Sequence, residues 1–175
     1  LISNPARESQ DPKVFYHAPT GKWVLAFYRG KGKEAKSGGM SIYTSPDLLN
    51  WKYSSFLEGI GECPDLFEVA FEGKPTEKKW VVLSGEGDYR IGIFDGLSFQ
   101  PDTELRKLDY GKNFYAAQTL SNAPDGKVIQ LAWMRGGEYP EMAFNGQMSF
   151  PMELSLRSTK NGPVESAIVV IAPRL

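Results

Sequence analysis

The chain has 175 residues, with 20 Lys and Arg against 21 Asp and Glu, one histidine and one cysteine. This near-neutral balance carries no basic stripe for a nucleic acid, and no apolar run reaches the length of a membrane span. One cysteine excludes an internal disulfide and a cysteine zinc cluster, and one histidine argues against a histidine-rich metal site or a Ser-His-Asp triad.

Residues 1–7 have no initiator Met and lack the charged-then-apolar layout of a signal peptide, so they read as the start of a mature or excised piece whose compartment is open. The first element follows Gln10-Asp11-Pro12. An apolar run over residues 14–17 turns through Ala18-Pro19-Thr20-Gly21 into Lys22-Trp23-Val24-Leu25, which predicts a β-hairpin. His17 reads as a strand-end histidine at that turn. Glu34-Ala35-Lys36 sits among glycines and serines and predicts a flexible loop. A strand is expected over residues 40–44, followed by the polar turn Ser45-Pro46-Asp47-Leu48-Leu49-Asn50-Trp51. There Asp47 would bond turn amides and Trp51 would pack between strands, with a sugar-stacking Trp51 as the alternative.

Glu62-Cys63-Pro64-Asp65 opens the second unit. An apolar run over residues 66–71 turns through 72–78 into Lys79-Trp80-Val81-Val82-Leu83, and a strand over 90–94 leads to Phe99. The third unit runs over 115–120, turns through 121–126 and returns as Lys127-Val128-Ile129-Gln130-Leu131-Ala132-Trp133. The Lys-x-apolar strand thus recurs about every fifty residues. Short antiparallel strands in units of that length match the blades of a β-propeller, with a β-sandwich as the structural alternative. Three units are fewer than the roughly four to eight blades of a closed propeller, so an incomplete ring that exposes edges or relies on a partner is expected.

Blade entrances point at the central channel, so acids at equivalent entrances converge there. Asp11 and Glu62 lie about one repeat apart and form such a pair. Taken singly, Asp11 is a turn residue before Pro12, and Asp65 a cap on local amides; the recurrence of an acid-Pro step favours a shared site. Two carboxyl groups are what glycoside hydrolysis requires, one to protonate the leaving oxygen and one to attack or to activate water. Cys63 reads as a small buried neighbour behind Glu62 rather than a nucleophile.

These segments resemble glycoside hydrolase family 32, the levanases, inulinases and invertases. Glu62-Cys63-Pro64 is similar to the family's Glu-Cys-Pro motif, and Gln10-Asp11-Pro12-Lys13-Val14-Phe15 to its Arg-Asp-Pro segment. Residues 109–118, from Asp109-Tyr110-Gly111-Lys112 to Ala117-Gln118, and Phe144-Asn145-Gly146-Gln147-Met148-Ser149-Phe150-Pro151 resemble two further family segments. The resemblance implies an all-β fold, about three blades of a five-bladed propeller over residues 1–163; the tail at 164–175 has no clear family counterpart, and its apolar run reads as one strand. It implies retaining hydrolysis of fructosyl bonds of levan, inulin or sucrose type, with Glu62 as general acid/base and Asp11 as transition-state stabiliser. Gln10, Trp133 and Tyr115 would bind substrate, with no cofactor and no metal. The family slightly favours a secreted or periplasmic setting.

Two departures matter. The family nucleophile is an Asp in an Asn-Asp-Pro motif, which these 175 residues lack, so the chain alone is expected to be inactive and to depend on the missing propeller segment or another chain. Gln10 also stands where the family has Arg, replacing a charged fork by a neutral, shorter side chain. The other functional readings are a non-catalytic carbohydrate-binding propeller and another propeller glycosidase such as an arabinanase or sialidase. For a sialidase, Arg90, Arg106 and Arg135 are too scattered to form the arginine cluster that its substrate's carboxylate needs.

Overall fold

The computed structural model describes residues 8–31, 37–158 and 166–171; the predicted loop at 34–36 and the leading segment 1–7 lie outside them. Among the described residues there is no α-helix, only 3-10 turns at Ala18–Thr20 and Pro124–Gly126. The strands are β1 (Ser9–His17), β2 (Lys22–Arg29), β3 (Gly39–Ser45) and β4 (Lys52–Glu58), then β5 (Asp65–Phe71), β6 (Lys74–Leu83), β7 (Asp88–Phe94), β8 (Phe99–Pro101) and β9 (Arg106–Lys107). They continue with β10 (Phe114–Thr119), β11 (Val128–Met134), β12 (Met152–Ser158) and β13 (Ser166–Ile171).

β1 to β4 form one antiparallel sheet in sequence order. A second meander runs β5-β6-β7-β8, with β9 on β7, and a third runs β10-β11-β12, with β13 on β12. The last two are joined by a single parallel pairing, Leu156 with Phe71. These are three blades of a β-propeller. Their first strands, β1, β5 and β10, bond to one another across wide sequence gaps, so the blades fan from a common axis.

Alternation decides what each strand buries. Val24, Ala26, Met40 and Ile42 of the first blade pack on Leu66, Val82, Phe94 and Phe99 of the second. The opposite face of the second blade, with Phe67, Val69, Val81 and Leu83, packs on Ala117, Ala132, Leu154 and Leu156 of the third. At about 1.5–3 kcal/mol for each fully buried aliphatic or aromatic side chain, these two layers fix the fan of blades on which the site depends.

Turn chemistry follows the sequence with one difference. The turn expected over 72–78 closes at residues 72–73, because the ladder extends to Phe71 opposite Lys74 across a bulge. Asp47 accepts from the amides of Leu49 (3.0 Å) and Asn50 (2.8 Å), as expected, and Trp51 closes the same turn by donating to the Leu48 carbonyl. These amide bonds hold the Asp47 carboxyl far below its ordinary range. Asp95 repeats the device in the second blade, accepting from Leu97 at 2.8 Å and Ser98 at 2.7 Å ahead of Phe99. His17 is buried at the strand end, its Nδ1 2.9 Å from the Thr20 hydroxyl.

Candidate active site

The first strands of the blades, or the turn leading into them, share one backbone device. Asp11, Cys63 and Ala116 each have a left-handed backbone, with φ of 58°, 52° and 49°. Each non-glycine residue in that region costs about 1–2 kcal/mol, so three at one level of the fan mark a constrained site. The ladder slips beside two of them, between Gln10 and Lys13 and between Tyr115 and Gln118. A bulge re-aims the side chains around it. The residues just before the left-handed positions are Gln10, Glu62 and Tyr115. The pairing of Asp11 with Glu62 drawn from the sequence is therefore offset by one: by backbone, Asp11 matches Cys63 and Glu62 matches Gln10.

Gly85 locks this arrangement. Its N–H donates to the Glu62 carbonyl at 2.8 Å, and a Cβ there would lie 3.0 Å from the Cys63 Cβ and 3.1 Å from the Ala116 backbone. A side chain there would have to push these backbones apart.

The offset still brings the acids together. Asp11 Oδ2 accepts from the Cys63 N–H at 2.9 Å, directly beside Glu62. The Cys63 thiol is pushed up to about 12 by burial, then by the charge of Asp11, a hydrogen bond to Asp11 and the charge of Glu62. Cys63 is half-buried rather than fully buried as expected, and is held as a neutral thiol, unsuited to nucleophilic attack. Glu62 is exposed, and the Tyr115 hydroxyl donates to its Oε2. That bond pushes the Tyr115 phenol up to about 12, with burial second. Tyr28 on β2 also faces this acid; burial raises its phenol first, and the charges of Glu62 and Glu8 add to it.

Asp65 has a different task. It is fully buried, Oδ1 lies 2.8 Å from Lys13 Nζ, and Oδ2 accepts from the Thr119 N–H. Lys13 also donates to the Thr119 hydroxyl (2.9 Å) and carbonyl (3.1 Å), and Gln118 Nε2 reaches the Cys63 carbonyl at 3.0 Å. The cap that Asp65 makes is thus on another blade, not on local amides. Lys13 and Gln118 carried no local signal of this role, since their partners lie more than fifty residues away.

Trp133 is 42% exposed and pairs across the ladder with Tyr115, their rings meeting edge-on at 6.3 Å. Gly146 leaves room for the Trp133 Nε1, which would lie 2.8 Å from a Cβ there. Trp133, Arg135, Tyr139, Phe144, Asn145 and Gly146 line a groove of about 680 Å³, with Gly136, Gly137, Glu138 and Pro140. Tyr115 links the groove to Glu62: its ring meets Trp133 and Arg135 of the groove, and its hydroxyl bonds Glu62. Gln10 is exposed beside Asp11. Trp51 is at the far end of its sheet: Gly39 pairs with Glu58 at the Asp11 end, whereas Thr44 pairs with Lys52 beside Trp51.

The family model described as "Glycosyl hydrolases family 32 N-terminal domain" matches residues 2–165. A levanase from Bacillus subtilis is 34% identical, over 93% of this chain and 27% of its own length. An extracellular exo-inulinase from Meyerozyma guilliermondii is 38% identical, over 88% of this chain and 33% of its own. A solved fructofuranosidase from Schwanniomyces occidentalis, complexed with fructose, superposes with a TM-score of 0.79 at 28% identity, covering 98% of this chain and 37% of that one. The chain therefore spans about a third of the length of the relatives it matches.

Proposed function

The chain belongs to glycoside hydrolase family 32, and on that premise we propose that it supplies the proton-transfer side of a retaining hydrolase acting on fructosyl bonds of levan, inulin or sucrose type. The observation that carries this reading is the junction at Cys63, where one N–H and one thiol tie the Asp11 carboxylate to the residue next to Glu62.

In this reading Glu62 gives its proton to the glycosidic oxygen as the bond to the anomeric carbon breaks, and a carboxylate takes that carbon as a fructosyl ester. Glu62 then takes a proton from the water that cleaves the ester. Asp11, held by the Cys63 N–H at Oδ2, would turn its remaining acceptor capacity to sugar hydroxyls. Trp133 offers a flat apolar face on the groove, and Gln10 a neutral amide. Tyr115 serves Glu62 with its hydroxyl more directly than it serves a sugar with its ring. The attacking carboxylate belongs to the Asn-Asp-Pro segment that the 175 residues lack.

Residues 1–163 would act as one propeller domain with 164–175 as its tail, of which β13 is a strand on β12. The first blade's outer face supports cover by a further propeller segment or another chain. It carries the ring pair Tyr16–Trp23 and the ring series Phe27–Tyr43–Tyr53, with Tyr16 53% and Tyr53 54% exposed.

The test is fructose release from sucrose, levan and inulin. The 175-residue polypeptide alone is expected to stay near background. Joined to a family Asn-Asp-Pro segment it should turn over, and Glu62→Gln should then lower kcat by about 10²–10⁴. Robust turnover by the polypeptide alone would overturn its expected inactivity. Sugar binding that survives Glu62→Gln, with no turnover in either form, would favour a carbohydrate-binding propeller instead.

A further inference from the structure

Arg135 stands just past the end of β11, where its N–H donates to the Asn113 carbonyl at 2.7 Å. That bond pins its backbone opposite the start of β10. Its guanidinium carbon lies 3.7 Å from the centroid of the Tyr115 ring. Among the described residues Arg135 makes no ion pair, so this stack is its principal side-chain contact. Trp133 meets the same ring edge-on. The phenol between them donates to Glu62 Oε2.

Tyr115 needs such support. It lies at the slip of the β10–β11 ladder, and the next residue, Ala116, is left-handed. Regular cross-strand packing therefore ends at Tyr115, and a ring left there without neighbours would swing freely about χ1. A planar guanidinium on its face restricts that swing, and the cation draws on the ring's electrons, which makes the phenol a better donor.

We propose that Arg135 is a positioning residue that holds the Tyr115 ring against Glu62 and thereby fixes the geometry of the Glu62 carboxyl. The inference rests on the reading of Glu62 as the proton-transfer group.

The sign of one titration separates positioning from plain charge. The groups facing Tyr115 are Glu62 and Cys63 from the turn before β5 and Arg135 from beyond β11; Tyr28 of β2 faces Glu62. The hydrogen bond to Glu62 is the largest influence and raises the phenol to about 12, whereas the charge of Arg135 lowers it. If Arg135 acts through charge alone, removing it raises the Tyr115 value further. If it holds the ring, removing it breaks the bond to Glu62, and the value falls towards the ordinary 10.0.

The experiment is a ¹³Cζ-tyrosine NMR titration of the chain, with the Tyr115 signal identified by its loss in Tyr115→Phe. Two variants are compared, Arg135→Gln and Arg135→Lys; the second keeps the charge but not the planar stack. The inference stands only if the wild-type phenol resists ionisation and the ionisation constant rises about tenfold or more in both variants. A value that holds or rises in either variant overturns it, as does an ordinary value in the wild type. Because no turnover is measured, a failure here leaves the catalytic reading of Glu62 intact. Failure of the Glu62→Gln activity test would likewise leave the stack and its bond in place.

Discussion

Cys63 shows how much the chemistry of one side chain depends on its neighbours. Burial, the Asp11 charge, the Asp11 hydrogen bond and the Glu62 charge all favour the neutral thiol, taking it from an ordinary 9.0 to about 12. Because the folded value lies above the unfolded one, the stability this contributes is complete below about pH 9 and is lost as pH rises towards 12. The same shift suppresses the thiolate at mildly alkaline pH. Iodoacetamide at pH 8.5 should therefore alkylate native Cys63 about 10²-fold more slowly than the urea-unfolded chain, allowing for the residue's partial exposure. Asp11→Asn removes one of the charges and should speed the native reaction. Equal rates for native and unfolded chains would show that the carboxylates do not crowd this thiol.

At the scale of the strand, the first strands of the blades are held together by ions as well as by bulges. Lys13 of β1 is 12% exposed and Asp65 of β5 fully buried, and both bond Thr119 of β10. Removing one partner of such a pair leaves a buried charge alone, so Lys13→Met should cost about 3–5 kcal/mol in urea unfolding. Adding Asp65→Asn keeps an acceptor for the Thr119 N–H and removes the charge, so the double variant should recover much of that loss. A cost below about 1 kcal/mol for Lys13→Met would mean that water already reaches the pair. This network was not legible in the sequence. Lys13 looks like any outward lysine in an alternating strand, and its partners lie 52 and 106 residues away. The hairpins around Val14, Val69 and Ala117 were legible, because turn residues sit between apolar runs. β4 and β12 were not: β12 buries Leu154 and Leu156 only because the second blade packs Phe67, Val69, Val81 and Leu83 against them. The acid-Pro steps pointed to the candidate site, while the one-residue offset between them appears only in the backbone angles.

At the scale of the molecule, the second blade decides whether the fan behaves as one body. Its strands present alternate residues to the two layers, Leu66 and Val82 to the first blade, Phe67, Val69, Val81 and Leu83 to the third. Neither layer can melt without stripping one face of the same sheet, which then loses its remaining support. Lys13 adds a third tie, since it bonds the second and third blades from the first. One cooperative transition is therefore expected, rather than blade-by-blade unfolding. Leu66→Ala on one face and Phe67→Ala on the other should each cost about 2–5 kcal/mol and lower the same midpoint. Tryptophan fluorescence, which samples Trp80 in the first layer together with Trp23, Trp51 and Trp133, and far-UV circular dichroism, which samples every blade, should trace one curve in each variant. A variant in which the two probes separate, with one layer melting while the other holds, would show that the blades are independent units. The site shared by β1, β5 and β10 would then need something besides the two cores to hold it together.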